Sequence, residues 1–357
     1  MLKEINEQPK VISDTLRGRF GASGEILLDD MRLPEEKLKQ VKKIMIISCG
    51  TAYHAGMVGK YLLEKFVRIP CEVDLASEFR YRNPLVDDTT LVMTVTQSGE
   101  TADTLAGLRE AHRRGSNVVS ICNVVGSSIA RESDGVIYQH AGPEIGVAST
   151  KAYTSQVTCF VLFTLYLGRL RGVLSDAQVK QMSAELRELP GLIEKVIANQ
   201  DTIMECTEKY HQAQSALYLG RSYNFPSALE GALKLKEISY IHAEGYAAGE
   251  MKHGPIALVD PKLPVICVAT SSEVYDKMIS NIQEIRARAG KVIAVATEGD
   301  EGIASHADDV IYVPECPEYL SPILVAVPLQ LLSYHIATRR GCDVDQPRNL
   351  AKSVTVE

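Results

Sequence analysis

The sequence predicts two doubly wound α/β domains with parallel sheets, joined by a helical linker and followed by an irregular tail. Three observations carry this reading. Short β-branched runs alternate with helical patterns, the signature of βαβ units. The same order of runs appears twice along the chain at a nearly constant offset. The length, 357 residues, fits two domains of roughly 150 residues each.

The elements follow in order. Residues 1–40 read as a helical extension ahead of a first domain at 41–150. Ile44–Ser48 is β-branched-rich and bounded by Cys49-Gly50, so it reads as a strand; a helix runs from about Ala52 to Phe66. Leu91–Val95 is a second strand, followed by a helix from Thr101 to Arg114. Strands at Asn117–Cys122 and Gly135–Tyr138 close the unit. Residues 151–212 form a mostly helical linker punctuated at Pro190-Gly191. Within it the uncharged stretch Ala152–Gly168, diluted by Thr, Ser and Gln, reads as a buried helix rather than a membrane span. The second domain, 213–341, repeats the first. Ala216–Gly220 matches the strand before Gly50, and Val265–Thr270 matches Leu91–Thr96. Arg288–Val295 matches Arg114–Ser120, and Ala307–Tyr312 matches Ser133–Tyr138. The tail, 342–357, has no helical period after Pro347.

Composition excludes several function classes. Apolar residues are 45% and charged residues 23%, as in a globular chain. The net charge of −7 argues against a nucleic-acid surface, which needs a basic stripe to displace phosphate counterions. Eight cysteines form no C-x-x-C pair and lie mostly in apolar runs. That is the usage of free thiols in a reducing compartment, without a zinc site. The N-terminal residues lack the apolar core of a signal peptide. A cytoplasmic protein without membrane or nucleic-acid partners is expected.

Two regions carry candidate chemistry. Thr96-Gln97-Ser98-Gly99-Glu100-Thr101 lies where a strand ends and a helix begins. There unpaired N–H groups and the positive end of the helix dipole suit a phosphate, and the Ser98 and Thr101 hydroxyls add donors. Plain helix capping with Ser98 as N-cap is the competing reading. Without Gly-Lys-Ser/Thr or G-x-G-x-x-G the loop points away from nucleotides, to a smaller phosphoester. Cys49-Gly50-Thr51 is a second such turn. In the second domain, Gly231–His242 reads as a helix with apolar residues on most faces. Glu230, Lys234 and Glu237 share one face of it at i, i+4 and i+7. They make either a solvated salt-bridge stripe or a polar stripe in a cleft, where a carboxylate beside an ammonium can be tuned as a base. Gly249–Pro255 reads as a loop, and its His253 is either a surface residue or functional. The tail is either frayed or docked through Leu350, Val354 and Val356. Composition alone does not single out Lys352.

Five segments taken together resemble a known family. They are Gln97–Thr101, Glu144–Lys151, Ala232–Glu244, Lys252–Pro255 and Asp345–Glu357. The chain closely resembles the isomerase half of the glutamine–fructose-6-phosphate aminotransferases, which is built from two sugar-isomerase (SIS) domains of flavodoxin-like type. The resemblance implies that Thr96, Gln97, Ser98 and Thr101 bind phosphate, and that Thr51, Val147 and Ser149 contact the sugar. It implies that Glu237 moves a proton between C1 and C2 of fructose 6-phosphate. His253, supplied by the neighbouring subunit of a homodimer, would open the ring. Lys352 would form a Schiff base with the open ketose, with Lys234 and Glu230 in support. No metal or cofactor is implied. The implied products are glucose 6-phosphate, or glucosamine 6-phosphate for amino-sugar synthesis when a glutaminase domain supplies ammonia. Residue 2 is Leu, not the nucleophilic Cys of the family's glutaminase domain, so an isomerase half that does not hydrolyse glutamine is expected. Two other classes remain: a sugar-phosphate sensor, which would lack the catalytic pair, and a simple phosphosugar isomerase, which would not explain the lysine in the tail.

Overall fold

The computed structural model describes residues 1–22, 24–28 and 30–355. Val356, one of the expected docking residues, lies outside them. The chain divides into two compact units, each built from discontinuous segments. Residues 10–144, 151–188 and 351 onward make one; residues 1–9, 145–150 and 189–350 make the other.

In the unit containing residues 10–144, five strands form one sheet. They are β1 (Lys43–Ser48), β2 (Cys71–Leu75), β3 (Thr90–Thr96), β4 (Asn117–Cys122) and β5 (Gly135–Tyr138). All pairs are parallel, and the order is β2-β1-β3-β4-β5. β3 is buried along its whole length, and β1 and β4 are buried at all but their first residue. Helices cover both faces, so these strands must be apolar throughout. β2 and the short helix after it, Ala76–Tyr81, have no counterpart among the expected elements. β2 is an edge strand, Cys-Glu-Val-Asp-Leu, with only Cys71 buried, and five alternating residues carry little signal. The helix Lys151–Leu170 is buried over nearly its whole length, as the uncharged Ala152–Gly168 run predicts.

The other unit repeats this topology. Its strands are β6 (Ser215–Gly220), β7 (His242–Ala247), β8 (Pro264–Ala269), β9 (Lys291–Thr297) and β10 (Asp309–Val313). They are again parallel, in the order β10-β9-β8-β6-β7. Read from the β7 edge, this is the order of the first sheet, so the repeat in sequence is a repeat of fold. Its core helix is Ser321–Arg339, packed on Asn224–Ser239. The uncharged run Tyr319–Thr338 is longer than Ala152–Gly168 and was not part of the expectation. The segment Glu318–Arg339 is long and apolar enough to cross a membrane, yet 89% of its most apolar window is buried inside the protein.

Several expectations need correction. The helix expected over Gly231–His242 is Asn224–Ser239; Tyr240 turns left-handed at φ 62° and ends it, and His242 opens β7. Pro190 does not punctuate: it sits inside the helix Asp176–Ala198. Leu186, Leu189, Ile193 and Val196 are all buried there at helical spacing, and their burial outweighs the roughly 3 kcal/mol that an internal proline costs. Residues 249–255 are not open loop but, Gly254 apart, lie in two 3-10 turns, Ala248–His253 and Pro255–Leu258. The N-terminal residues form the helices Leu2–Asn6, Gln8–Leu16 and Glu35–Gln40. The tail is irregular, but Leu350 and Val354 are 46% and 56% exposed, so apolar docking does not hold it.

Candidate active site

In a β2-β1-β3-β4-β5 sheet the winding reverses between β1 and β3, and a crevice opens at the carboxyl ends of those strands. The Gln97–Thr101 loop leaves β3 at that crevice and leads into the helix Ala102–Arg113. Gly99 has φ +71°, and a Cβ built there would lie 1.9 Å from Ser127 Oγ and 2.4 Å from Ser127 Cβ. Only glycine fits. The Thr96 hydroxyl accepts from Gly99 N–H at 3.1 Å, and Ser98 Oγ accepts from Glu100 N–H at 3.2 Å. The N-cap residue is Thr101, and its side chain makes no capping bond. The capping reading of Ser98 therefore fails, and the Thr101 hydroxyl lies 3.5 Å from that of Thr96.

The loop is held from behind. Ser128 N–H donates to Glu100 Oε1 at 2.8 Å, and Ile129 N–H donates to the Gly99 carbonyl at 3.0 Å. The first of these bonds keeps the Glu100 carboxyl below its ordinary range. Gln139, fully buried, donates to the Thr96 carbonyl at 2.9 Å. Thr51 begins the helix at the end of β1. Beside it, burial pushes the Cys49 thiol above its usual range, so it is a poor nucleophile.

The end of the tail, from residue 351 on, belongs to the same unit as this loop. Ala102 N–H, at the start of the loop's helix, donates to the Val354 carbonyl at 3.1 Å. Two residues earlier, the Lys352 ammonium is ion-paired with Glu144 Oε2. The Glu144 side chain is fully buried and the Lys352 side chain only 22% exposed. Glu144 Oε1 accepts from Ala152 N–H at 3.1 Å. Glu144 and Gln97 line one open cleft, together with Asn123 and His140, and burial lowers the His140 pKa.

The other unit holds the acid–base candidates. Lys234 Nζ lies 2.6 Å from Glu237 Oε2 and 3.4 Å from Glu230 Oε1. Lys234 and Glu230 are buried; the Glu237 side chain is 21% exposed. A solvated salt-bridge stripe is thereby ruled out: a buried ammonium sits between two carboxylates, one of which reaches solvent. His253 ends its 3-10 turn exposed. Val147 and Ser149 are partly exposed, and Val147 N–H donates to the Asp345 carbonyl at 3.0 Å.

The repeat does not duplicate the open crevice between β1 and β3. Between β6 and β8 the equivalent opening is filled by Asn224, whose Nδ2 donates to Thr270 Oγ1 at 3.1 Å and to Ser321 Oγ at 2.9 Å. A Cβ on Gly220 would lie 1.9 Å from the Asn224 carbonyl. The cleft beyond β8 and β9 is lined by Glu298, Asp300 and Glu315, the wrong sign for a phosphate.

Glu144, Glu100 and Gln139 were not among the residues expected from sequence. Glu144 stands in one of the resembling segments, but its partner is 208 positions away, and no spacing rule joins them.

Comparison with known proteins fixes the family. The SIS domain model matches residues 37–166 and 209–340. The chain belongs to the SIS-domain family. The whole SIS chain is 56% identical to the glutamine–fructose-6-phosphate aminotransferase (isomerizing) of Chlorobaculum tepidum and covers 58% of that protein. It is likewise 56% identical to the Thermus thermophilus enzyme of the same name, covering 59% of it. Among solved structures, the C-terminal domain of glucosamine-fructose-6-phosphate aminotransferase from Francisella tularensis matches with TM-score 0.92. There the identity is 43% and the match covers 97% of each chain. The SIS chain thus spans somewhat under two thirds of the length of these full-length relatives.

Proposed function

We propose that this chain is the sugar-phosphate isomerase half of a glutamine–fructose-6-phosphate aminotransferase, acting in the cytoplasm as a homodimer. A glutaminase domain would supply its ammonia. The observation that carries the reading is the placement of a lysine amine and a phosphate-type loop in one unit, tied by the Val354–Ala102 bond. A phosphate cradle beside an amine suits a phosphorylated carbonyl compound.

The roles are those the family resemblance implies, and the residue types suit them. Backbone N–H groups and the Thr96, Gln97, Ser98 and Thr101 side chains take the phosphate, while Thr51, Val147 and Ser149 contact the sugar. His253 of the neighbouring subunit carries the proton for ring opening; an imidazole can both give and take a proton, and its exposure leaves it available to a second chain. Lys352 attacks C2, and the resulting imine acidifies C1–H. Glu237 moves the proton between C1 and C2, with Lys234 and Glu230 fixing its carboxylate. With ammonia the product is glucosamine 6-phosphate; without it, glucose 6-phosphate. The proposed division is an extension (1–40), SIS domains at 41–150 and 213–341, a linker (151–212) and the tail (342–357). Incubation with fructose 6-phosphate tests the reading. Glucose 6-phosphate should form without ammonium and glucosamine 6-phosphate with it; neither product, from a chain that binds the sugar, would favour a sensor.

A further inference from the structure

We propose that Glu144 is a catalytic residue: the group that takes the proton from Lys352 and returns it to the departing oxygen as the imine forms. The inference rests on the proposed Schiff-base reading and adds to it the group through which the proton moves.

An ammonium has no lone pair, so Lys352 must lose a proton before it can attack a carbonyl. The Lys352 nitrogen is in direct contact with Glu144 Oε2. That carboxylate is fully buried on its side chain, and its second oxygen is fixed by Ala152 N–H at the start of the helix Lys151–Leu170. One oxygen is anchored and the other aims at the nucleophile, the arrangement of a general base with its orienting group. Glu144 also lines the cleft that contains Gln97 of the phosphate loop, so the pair faces the space beside that loop.

The step balances. The pair begins as ammonium and carboxylate. Proton transfer gives a neutral amine and a carboxylic acid. The amine lone pair forms the N–C2 bond, and the C2 oxygen, protonated by the proton lost from nitrogen, gives a carbinolamine. Its C–O bond breaks as the Glu144 acid protonates the leaving hydroxyl, and water departs. An iminium remains beside the Glu144 carboxylate, so the net charge of the pair is the same before and after. No oxidant, reductant or cofactor is needed.

The test compares the wild type with Glu144→Gln. Glutamine keeps an oxygen that can accept from Ala152 N–H but cannot take a proton from Lys352. The rate of borohydride-trapped adduct formation on Lys352 is read at saturating fructose 6-phosphate, so that affinity does not enter. The proposal expects trapping to slow by about a hundredfold or more, with calorimetric affinity for the sugar retained. If Glu144 were only a counter-ion, its loss would enrich the neutral amine, because an opposite charge favours the ammonium. Trapping would then speed up. A rate equal to or above wild type overturns the proposal. Should Glu144→Gln fail to fold, Glu144→Asp serves: its shorter reach should slow trapping about tenfold, and wild-type trapping would overturn the proposal equally. Absence of trapping in the wild type would instead count against the Schiff-base reading itself.

Discussion

Replacing Gly99 by alanine is the smallest change that probes the phosphate loop, because it adds one methyl group and removes nothing. The new Cβ would sit 1.9 Å from Ser127 Oγ and 2.4 Å from Ser127 Cβ. Rotating the serine hydroxyl relieves the first contact but not the second, since Cβ is fixed by the backbone. The residue would also be held at φ +71°, which costs a non-glycine residue about 1–2 kcal/mol. The loop must therefore move, and with it the N–H and hydroxyl groups proposed to hold the phosphate. Each hydrogen bond lost to a charged group costs about 1.5–3 kcal/mol, so affinity for fructose 6-phosphate should fall about ten- to a hundredfold per bond. Isothermal titration calorimetry reads this directly. A second substitution, Ser127→Gly, removes the two nearest atoms and should restore most of the steric part of the loss, leaving a tight contact with Cys122 Sγ at 3.0 Å and the cost of the left-handed backbone. Wild-type affinity in Gly99→Ala would refute the assignment of the phosphate to this loop. No recovery in the double variant would refute the steric account.

Further predictions concern other parts of the fold. Lys234→Met removes the ammonium between two carboxylates and should destabilise the chain by about 3–5 kcal/mol, read as a lower urea midpoint; an unchanged midpoint would mean the pair is neutral. His335 Nε2–H donates to Gln200 Oε1 at 2.9 Å, and burial lowers its pKa. The neutral form is favoured in the folded state, so its contribution to stability is present above the unfolded pKa of about 6.5. It is lost as pH falls below that value, and the stability gap between wild type and His335→Gln should narrow from pH 8 to pH 5. Mixed His253→Ala and Glu237→Gln chains should recover isomerase activity as hybrid dimers; no recovery despite subunit exchange would place His253 in the site of its own chain.

What was legible in the sequence follows the range of the forces involved. Strands buried on both faces, such as Ile44–Ser48 and Asn117–Cys122, announce themselves as apolar runs, because helices on both sides leave no solvent face. The edge strand Cys71–Leu75 does not, since only one of its five residues is buried. The shared face of Glu230, Lys234 and Glu237 followed from helical spacing, but its burial did not: whether such a stripe meets water depends on what packs over it. Pro190 misled because tertiary burial of Leu189 and Ile193 outweighs a local preference. The tail misled in the other direction. Its apolar residues suggested docking, whereas Leu350 and Val354 are exposed. Polar contacts hold it instead, among them a backbone bond to Ala102 and the Lys352–Glu144 pair. Glu144 itself was invisible as a functional residue, because a buried carboxylate and a lysine far along the chain meet only after folding.

In the proposed reaction Lys352 becomes covalently bonded to an open-chain ketose phosphate. Borohydride reduction in the presence of fructose 6-phosphate, followed by peptide mass analysis, tests it most directly. One reduced hexose phosphate per chain is expected, carried by the peptide containing Lys352 and absent from Lys352→Ala. An adduct on another lysine, such as Lys234, or full isomerase activity in Lys352→Ala, would contradict it.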